Sequence, residues 1–300
     1  MAPVTVPWSR LIRFVSAEDN EIYFGDAVVP DDDFDIGLPE NLPSLKARII
    51  KGDALSSTCT VTDKTVQVKK LLGPLTTKMV PSIRCIGGNY LSHLRELGVT
   101  PPKYPQMFAK TSNALAGYGD DILIPKIAQD DQMDYEAELA FVIGRDVKNV
   151  KKEDALDYVL GYTSANDVSA RKWQLDPELL DKFPPPQVVF GKSFDGFCPI
   201  GPAIISTRTL KDPHVVSLRT LVNGEQRQSS NTKELQFNIP EIIEFLSQST
   251  TLNAGSIVLT GAPGGVGFAM KPQVWLKDGD EVQIRFGKVG TLVNRFVNEV

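Results

Sequence analysis

The sequence is short of histidine and cysteine. Only two histidines, His93 and His214, occur in 300 residues. A zinc site of the common His-rich or Cys-rich type cannot be assembled from that inventory. The cysteines, Cys59, Cys85 and Cys198, are an odd number at wide spacing with no CxxC pair. A disulfide framework is therefore not expected, and a reducing compartment fits best. No apolar run approaches the roughly 18 residues needed to span a bilayer. There is no basic stripe: Lys+Arg 32 against Asp+Glu 37 gives a net charge of −5. Neither nucleic acid nor an anionic membrane is expected as a partner. The opening MAPVTVPWSRLIRF lacks a charged region followed by an apolar one, so a cytoplasmic location is expected, with a mitochondrial one also open. Internal repeats and low-complexity tracts are missing too.

What remains is an ordinary globular composition, 42% apolar and 23% charged, long enough for one large domain or two unequal ones. Short strands outnumber helices, so the fold class expected is α+β, mainly β. Residues 1–75 read as a small β-rich N-terminal domain, and 76–300 as the larger catalytic domain. Residues 11–14 and 21–26 predict a hairpin, and 64–72 another strand. Leu91, Leu94 and Leu97, followed by Gly98, predict a short helix with its stop. Residues 153–161 predict an amphipathic helix ended by Gly161. Residues 162–169 predict a strand carrying Asp167. Residues 179–187 are Pro-rich and predict a loop. Residues 188–195 bring Lys192 out of an apolar, strand-like segment. Asn223-Gly224 is a strong hairpin signal, and 239–246 predicts a helix with Pro240 near its start.

The stretch DYEAELAFVI, residues 134–143, stands out. In a strand, Glu136 and Glu138 project from the same face. Two like charges at that distance repel, and burying them is costly. A divalent cation would resolve the conflict; a solvated strand end is the plainer alternative. Asp167 offers a third carboxylate, unless it is only a turn residue or helix cap. With so little histidine, carboxylates must hold any metal, which favours Mg²⁺ or Mn²⁺, with Ca²⁺ also possible. His93 and Glu96 lie three apart on the predicted helix and share a side. A carboxylate beside an imidazole suits a general base; a surface pair is the alternative. Lys192 is either a desolvated cation for an anionic substrate or a surface lysine with a buried stem. The GAPGGVG run at 261–267 lacks the Gly-Lys-Ser/Thr of a phosphate loop. It fits a tight turn presenting backbone N–H groups to a small anion.

In order along the chain stand Gly88-Asn89-Tyr90 with His93 and Glu96, Phe108 with Lys110, Glu136-Ala137-Glu138, and Asn166-Asp167-Val168-Ser169-Ala170-Arg171. Gly191-Lys192-Ser193-Phe194-Asp195, Asn223-Gly224-Glu225, the run from Thr260 to Gly267, and Leu276-Lys277-Asp278-Gly279-Asp280 follow. Together they resemble the fumarylacetoacetate hydrolase (FAH) family, over more than two-thirds of the chain. The resemblance implies an FAH-type mixed β-roll catalytic domain, usually a homodimer. It implies Mg²⁺ or Mn²⁺ held by Glu136, Glu138 and Asp167, with His93 and Glu96 on a lid and Lys192 as a third catalytic group. Tyr90, Lys110, Arg171, Gln174 and Ala262 are the substrate-binding positions it suggests. The implied reaction is hydrolysis of a C–C bond in a small 2-oxo or β-diketo acid, such as an acylpyruvate or a fumarylacetoacetate-like acid, through a metal-bound enolate. Oxaloacetate decarboxylation and keto–enol tautomerisation use the same site. A degenerate protein that only binds a metal or metabolite is the alternative of another class. One departure is clear: the family loop usually reads Thr-Gly-Thr-Pro, and here Ala262 stands in place of the second threonine. A missing hydroxyl would leave a polar substrate group unpaired, at about 1–3 kcal/mol.

Overall fold

The computed structural model describes residues 2–176 and 187–300. Strands dominate, as the run of short β-rich segments predicts. The largest sheet begins at one edge with Ile22–Val28, Lys46–Lys51, Thr60–Leu72 and Arg10–Ser16. It continues through Cys198–Ser206, Val159–Asn166, Ala137–Ile143, Ile257–Leu259, Ile83–Gly87 and Gln106–Lys110. Arg10–Ser16 joins the two halves by antiparallel pairing to Cys198–Ser206, Arg10 opposite Ile205 and Leu11 opposite Ile204. The second sheet runs Glu225–Asn231, Ser217–Val222, Glu281–Phe286, Gly290–Asn298 and Asp121–Ile124.

The three central strands, Ala137–Ile143, Val159–Asn166 and Cys198–Ser206, are buried at every position. A strand covered on both faces shows an apolar run rather than alternation, which is why the sequence around 139–143 is continuously apolar. The hairpins at 10–28 and 217–231 form as predicted, the second around Asn223 and Gly224, both at positive φ. The helix Leu91–Leu97 ends on Gly98 in the left-handed conformation, and Ile239–Leu246 carries Pro240 in its first turn.

Two expectations fail locally. Residues Lys152–Tyr158 form a 3-10 helix, not the amphipathic α-helix expected over 153–161, and the chain then turns directly into the strand Val159–Asn166. Gly161 lies inside that strand. A Cβ there would come 2.5 Å from the Ile205 carbonyl oxygen and 2.8 Å from Ile204 Cγ2, so close strand packing, not helix termination, requires the glycine. Residues Val188–Lys192 form a short helix, not a strand-like segment. Its Gly191 packs against Arg171–Leu175, where a Cβ would come 2.8 Å from the Gln174 nitrogen. The Pro-rich loop predicted over 179–187 lies outside the described residues except for Gln187. Among the described residues, no helix is long and apolar enough to cross a membrane.

Candidate active site and metal centre

The site lies at the ends of the central strands. Glu138 sits in the strand Ala137–Ile143, with Glu136 just before it. Asp167 follows the end of Val159–Asn166, so the strand expected over 162–169 stops three residues early, just before Asp167. The Asn166 side chain fixes the junction by accepting the Glu136 N–H at 3.0 Å, and the Asp167 N–H donates to the Glu136 carbonyl at 2.9 Å. One oxygen from each of Glu136, Glu138 and Asp167 lies within 4.8 Å of the others, and all three residues are buried. The pleat thus places the two glutamates side by side as the alternation predicts, and the neighbouring strand end brings in the aspartate.

Cations compensate most of this negative charge. Lys192 Nζ donates to Glu136 Oε2 at 2.7 Å and to Asp167 Oδ2 at 2.6 Å. Arg171 Nη2 donates to Glu136 Oε1 at 2.7 Å, and Arg171 Nε to Asp134 Oδ2 at 2.8 Å. Burial alone would raise the Glu136 pKa, but Arg171, Lys192 and His93 outweigh it and hold the carboxyl well below the usual range. Glu138 differs. It accepts the Gly261 N–H but has no cationic partner among the described residues. Burial, then Asp167 and Glu136, push its carboxyl well above the usual range. Asp167 Oδ1 is buried and forms an ion pair with Lys110 Nζ at 2.7 Å. Four carboxyls, including Asp134, thus face three cations. The uncompensated Glu138 lies with Glu136 and Asp167 around one point, and an all-oxygen donor set of this kind fits a hard divalent cation.

The other predicted residues divide. His93, Arg171, Gln174, Lys192 and Ala262 line one cavity of about 210 Å³ together with the three carboxylates. His93 Nδ1 lies 3.2 Å from Glu96 Oε2, and the Glu96 carboxylate also accepts the Gly265 N–H at 3.0 Å. Glu96 therefore orients the imidazole and ties its helix to the glycine-rich turn. Gln174 Oε1 accepts from Arg171 Nη1 at 3.1 Å. The other two predicted binding residues do not line the cavity. Lys110 donates to the carbonyls of Val168, Lys192 and Phe197 at 3.0, 2.6 and 2.7 Å. An ammonium has three donors, so here Lys110 braces the strand ends behind Asp167. Tyr90 is fully buried, its hydroxyl has no hydrogen-bond partner among the described residues, and burial raises its pKa.

Sequence reasoning missed Asp134 as a site residue. Its carboxylate accepts from Gly267 N at 2.7 Å and Phe268 N at 3.1 Å as well as from Arg171. The signal was available, because Asp134 continues the spacing-by-two of Glu136 and Glu138. Asn89 is a second omission. Its side chain donates to the Thr260 and Phe237 carbonyls and accepts from Phe237 N, joining three segments under the cavity.

A mainly β scaffold that aims three buried carboxylates, a histidine held by Glu96 and a lysine into one small cavity defines a class of enzyme acting on small molecules. The family model described as "Fumarylacetoacetate (FAA) hydrolase C-terminal" matches residues 82–297, and the chain belongs to that family of enzymes. It is 39% identical to the caffeoylpyruvate hydrolase of Neonothopanus nambi over 100% of this chain and 96% of that protein. It is 44% identical to the mitochondrial oxaloacetate tautomerase fahd2 of Xenopus laevis over 76% of this chain and 68% of that one. The crystal structure of a 2-hydroxyhepta-2,4-diene-1,7-dioate isomerase from Mycobacterium marinum superposes with a TM-score of 0.77 at 31% identity, covering 97% of this chain and 99% of that one.

Proposed function

We propose that the protein hydrolyses a C–C bond in a small 2-oxo or β-diketo acid of the acylpyruvate type, with Mg²⁺ or Mn²⁺ held by Glu136, Glu138 and Asp167. The observation that carries this reading is the buried carboxylate trio with Glu138 uncompensated. When bound, the cation supplies Lewis-acid polarisation of the substrate carbonyl. The chain supplies the rest. With Nδ1–H donated to Glu96, the Nε2 of His93 is the basic ring nitrogen and takes a proton from water at the distal carbonyl. Lys192 has spent two of its three N–H donors on Glu136 and Asp167. The third is left for the negative charge that develops on the substrate as the bond breaks. Arg171, with four of its five donors engaged, is a brace with one N–H to spare. The homodimer implied by the family resemblance is part of the proposal.

A second reading is keto–enol tautomerisation of oxaloacetate, supported by the names of relatives such as the Xenopus laevis tautomerase. The same His93 would move a proton to or from carbon instead of activating water. The test is turnover of acylpyruvates and of oxaloacetate with Mg²⁺ or Mn²⁺, before and after chelation. EDTA is expected to abolish turnover, and activity that survives it overturns the metal reading. His93→Ala is expected to lower acylpyruvate hydrolysis by roughly a hundredfold or more. If oxaloacetate turnover survives that substitution while hydrolysis is lost, tautomerisation or decarboxylation becomes the main reaction.

A further inference from the structure

We infer that the hollow beside the active-site cavity, walled by Phe268 and Trp275, receives a flat aromatic acyl group, so that the substrate class is an aromatic acylpyruvate. This deepens the hydrolase reading above and rests on it.

Three residues, Arg171, Leu175 and Phe268, line both the carboxylate cavity and a second hollow of about 590 Å³. The two spaces are therefore neighbours that share a wall. Their linings differ in kind. The first gathers Glu136, Glu138, Asp167, Lys192 and His93 and is built for the oxygen-rich head of the substrate. The second adds Trp275 as its one further aromatic wall among the described residues, with the polar Asp131, Lys172, Asp176 and Gln273 around its rim. Phe268 and Trp275 lie with ring centroids 6.3 Å apart and planes tilted by 49°. The Arg171 guanidinium carbon sits 5.8 Å from the Phe268 centroid. Aromatic faces and a guanidinium plane together recognise another flat ring, by offset or edge contacts and by cation–π attraction.

The wall is held in place. The Phe268 N–H donates to Asp134 Oδ2 at 3.1 Å, on the same carboxylate that holds Arg171. Its carbonyl accepts from Gln273 Nε2 at 2.9 Å, and the Leu276 N–H, next to Trp275, donates to the Met133 carbonyl at 2.9 Å. Asp134 thus fixes the Phe268 backbone and the Arg171 guanidinium, both on the shared wall, and a rigid wall loses little freedom when a ring docks on it. A compact four-carbon diacid uses only the first cavity. An acylpyruvate whose acyl group ends in an aromatic ring uses both.

The experiment compares kcat/KM for benzoylpyruvate and acetylpyruvate in the full chain loaded with Mn²⁺, for the wild type, Trp275→Ala and Trp275→Phe. Wild type is expected to favour benzoylpyruvate. Trp275→Ala is expected to lower the benzoylpyruvate-to-acetylpyruvate ratio roughly tenfold, and Trp275→Phe to restore most of it. Trp275 is half-buried, so its truncation leaves the core intact. An unchanged ratio in Trp275→Ala overturns the proposal. If wild type converts neither substrate, the hydrolase reading fails by itself, and benzoylpyruvate binding measured calorimetrically on wild type and Trp275→Ala still decides the subsite. Equal affinities then overturn it, and weaker binding to the variant supports it.

Discussion

Lys192 shows how one side chain acquires a role that its neighbours in sequence do not announce. It stands at the end of a short helix, 2% exposed, between Glu136 and Asp167 and 5.0 Å from the Phe108 ring centroid. Burial alone would strip its proton, but the two carboxylates raise its pKa and keep it charged. Breaking a buried ion pair by removing one partner leaves an uncompensated charge. Lys192→Met is therefore expected to destabilise the metal-free protein by about 3–5 kcal/mol in urea unfolding. Saturating Mn²⁺ is expected to recover part of that loss, because a cation at the trio takes over the compensation. No difference from wild type would show that the lysine is not needed to balance the carboxylates. Lys110 is as deeply buried, yet three backbone carbonyls and Asp167 surround its ammonium. Two lysines of similar local sequence character thus divide into a group that faces the cavity and a group that holds the floor. Only the position of the carbonyls around each decides which is which.

Among the elements, the helix Ile239–Leu246 is the most fully specified by sequence. Asn238 and Glu241 form a capping box, as an Asn followed three residues later by Glu predicts. Its start has a second, non-local partner, for the Ile239 N–H donates to His214 Nε2 at 3.2 Å. Protonation would remove that acceptor. Burial lowers the His214 pKa below its ordinary 6.5, against the opposing pull of Asp212 and Glu241. The folded state therefore takes up the proton less readily than the unfolded chain. The associated stability is present above pH 6.5 and is lost as pH falls through the folded value. Melting temperatures followed from about pH 7 to about pH 5 are expected to decline more steeply in wild type than in His214→Asn. Parallel curves would count against the coupling. The helix Leu91–Leu97 has the opposite character. It is short and partly exposed, and its position depends on Glu96 reaching Gly265. The same carboxylate holds His93 Nδ1, so the imidazole and the glycine-rich turn share one anchor.

Across the molecule, the N-terminal strands are continuous with the catalytic sheet. Besides the pairing of Arg10–Ser16 with Cys198–Ser206, Asp35 accepts from Thr291 N and Oγ1 at 2.7 and 2.6 Å, and Tyr118 Oη donates to the Gly37 carbonyl at 2.9 Å. Trp8, Leu11, Ile12 and Phe14 belong to the common core. Removing residues 1–75 would bare a long strand edge and the apolar surface beneath it. A chain beginning at residue 76 is expected to aggregate, as read by size-exclusion chromatography. A monodisperse product with a cooperative melt would show instead that the larger part folds independently. The strand Cys198–Ser206, buried throughout, links this end of the sheet to the site, since Val168 N, beside Asp167, donates to the carbonyl of Phe197, which directly precedes it.

By itself the sequence determined whatever depends on short-range geometry. The pairing of Glu136 with Glu138 follows from the strand repeat, the His93–Glu96 pair from helical spacing, the hairpins from turn residues, and the carboxylate character of the candidate ligand set from scarce histidine and cysteine. The order of its motifs also carried the family. Tertiary structure alone decided what depends on partners distant in sequence. Among the described residues it left Glu138 without a cation, turned Lys110 and Tyr90 away from the cavity, and made Asp134 the clamp for both Arg171 and Phe268. It also made Gly161 and Gly191 packing glycines, because neighbouring backbone comes too close there for a Cβ. The carboxylate strand was legible from its own residues. The balance of charge around it belongs to five segments that meet only when the sheet is assembled, because the low dielectric of that junction makes each distant partner count.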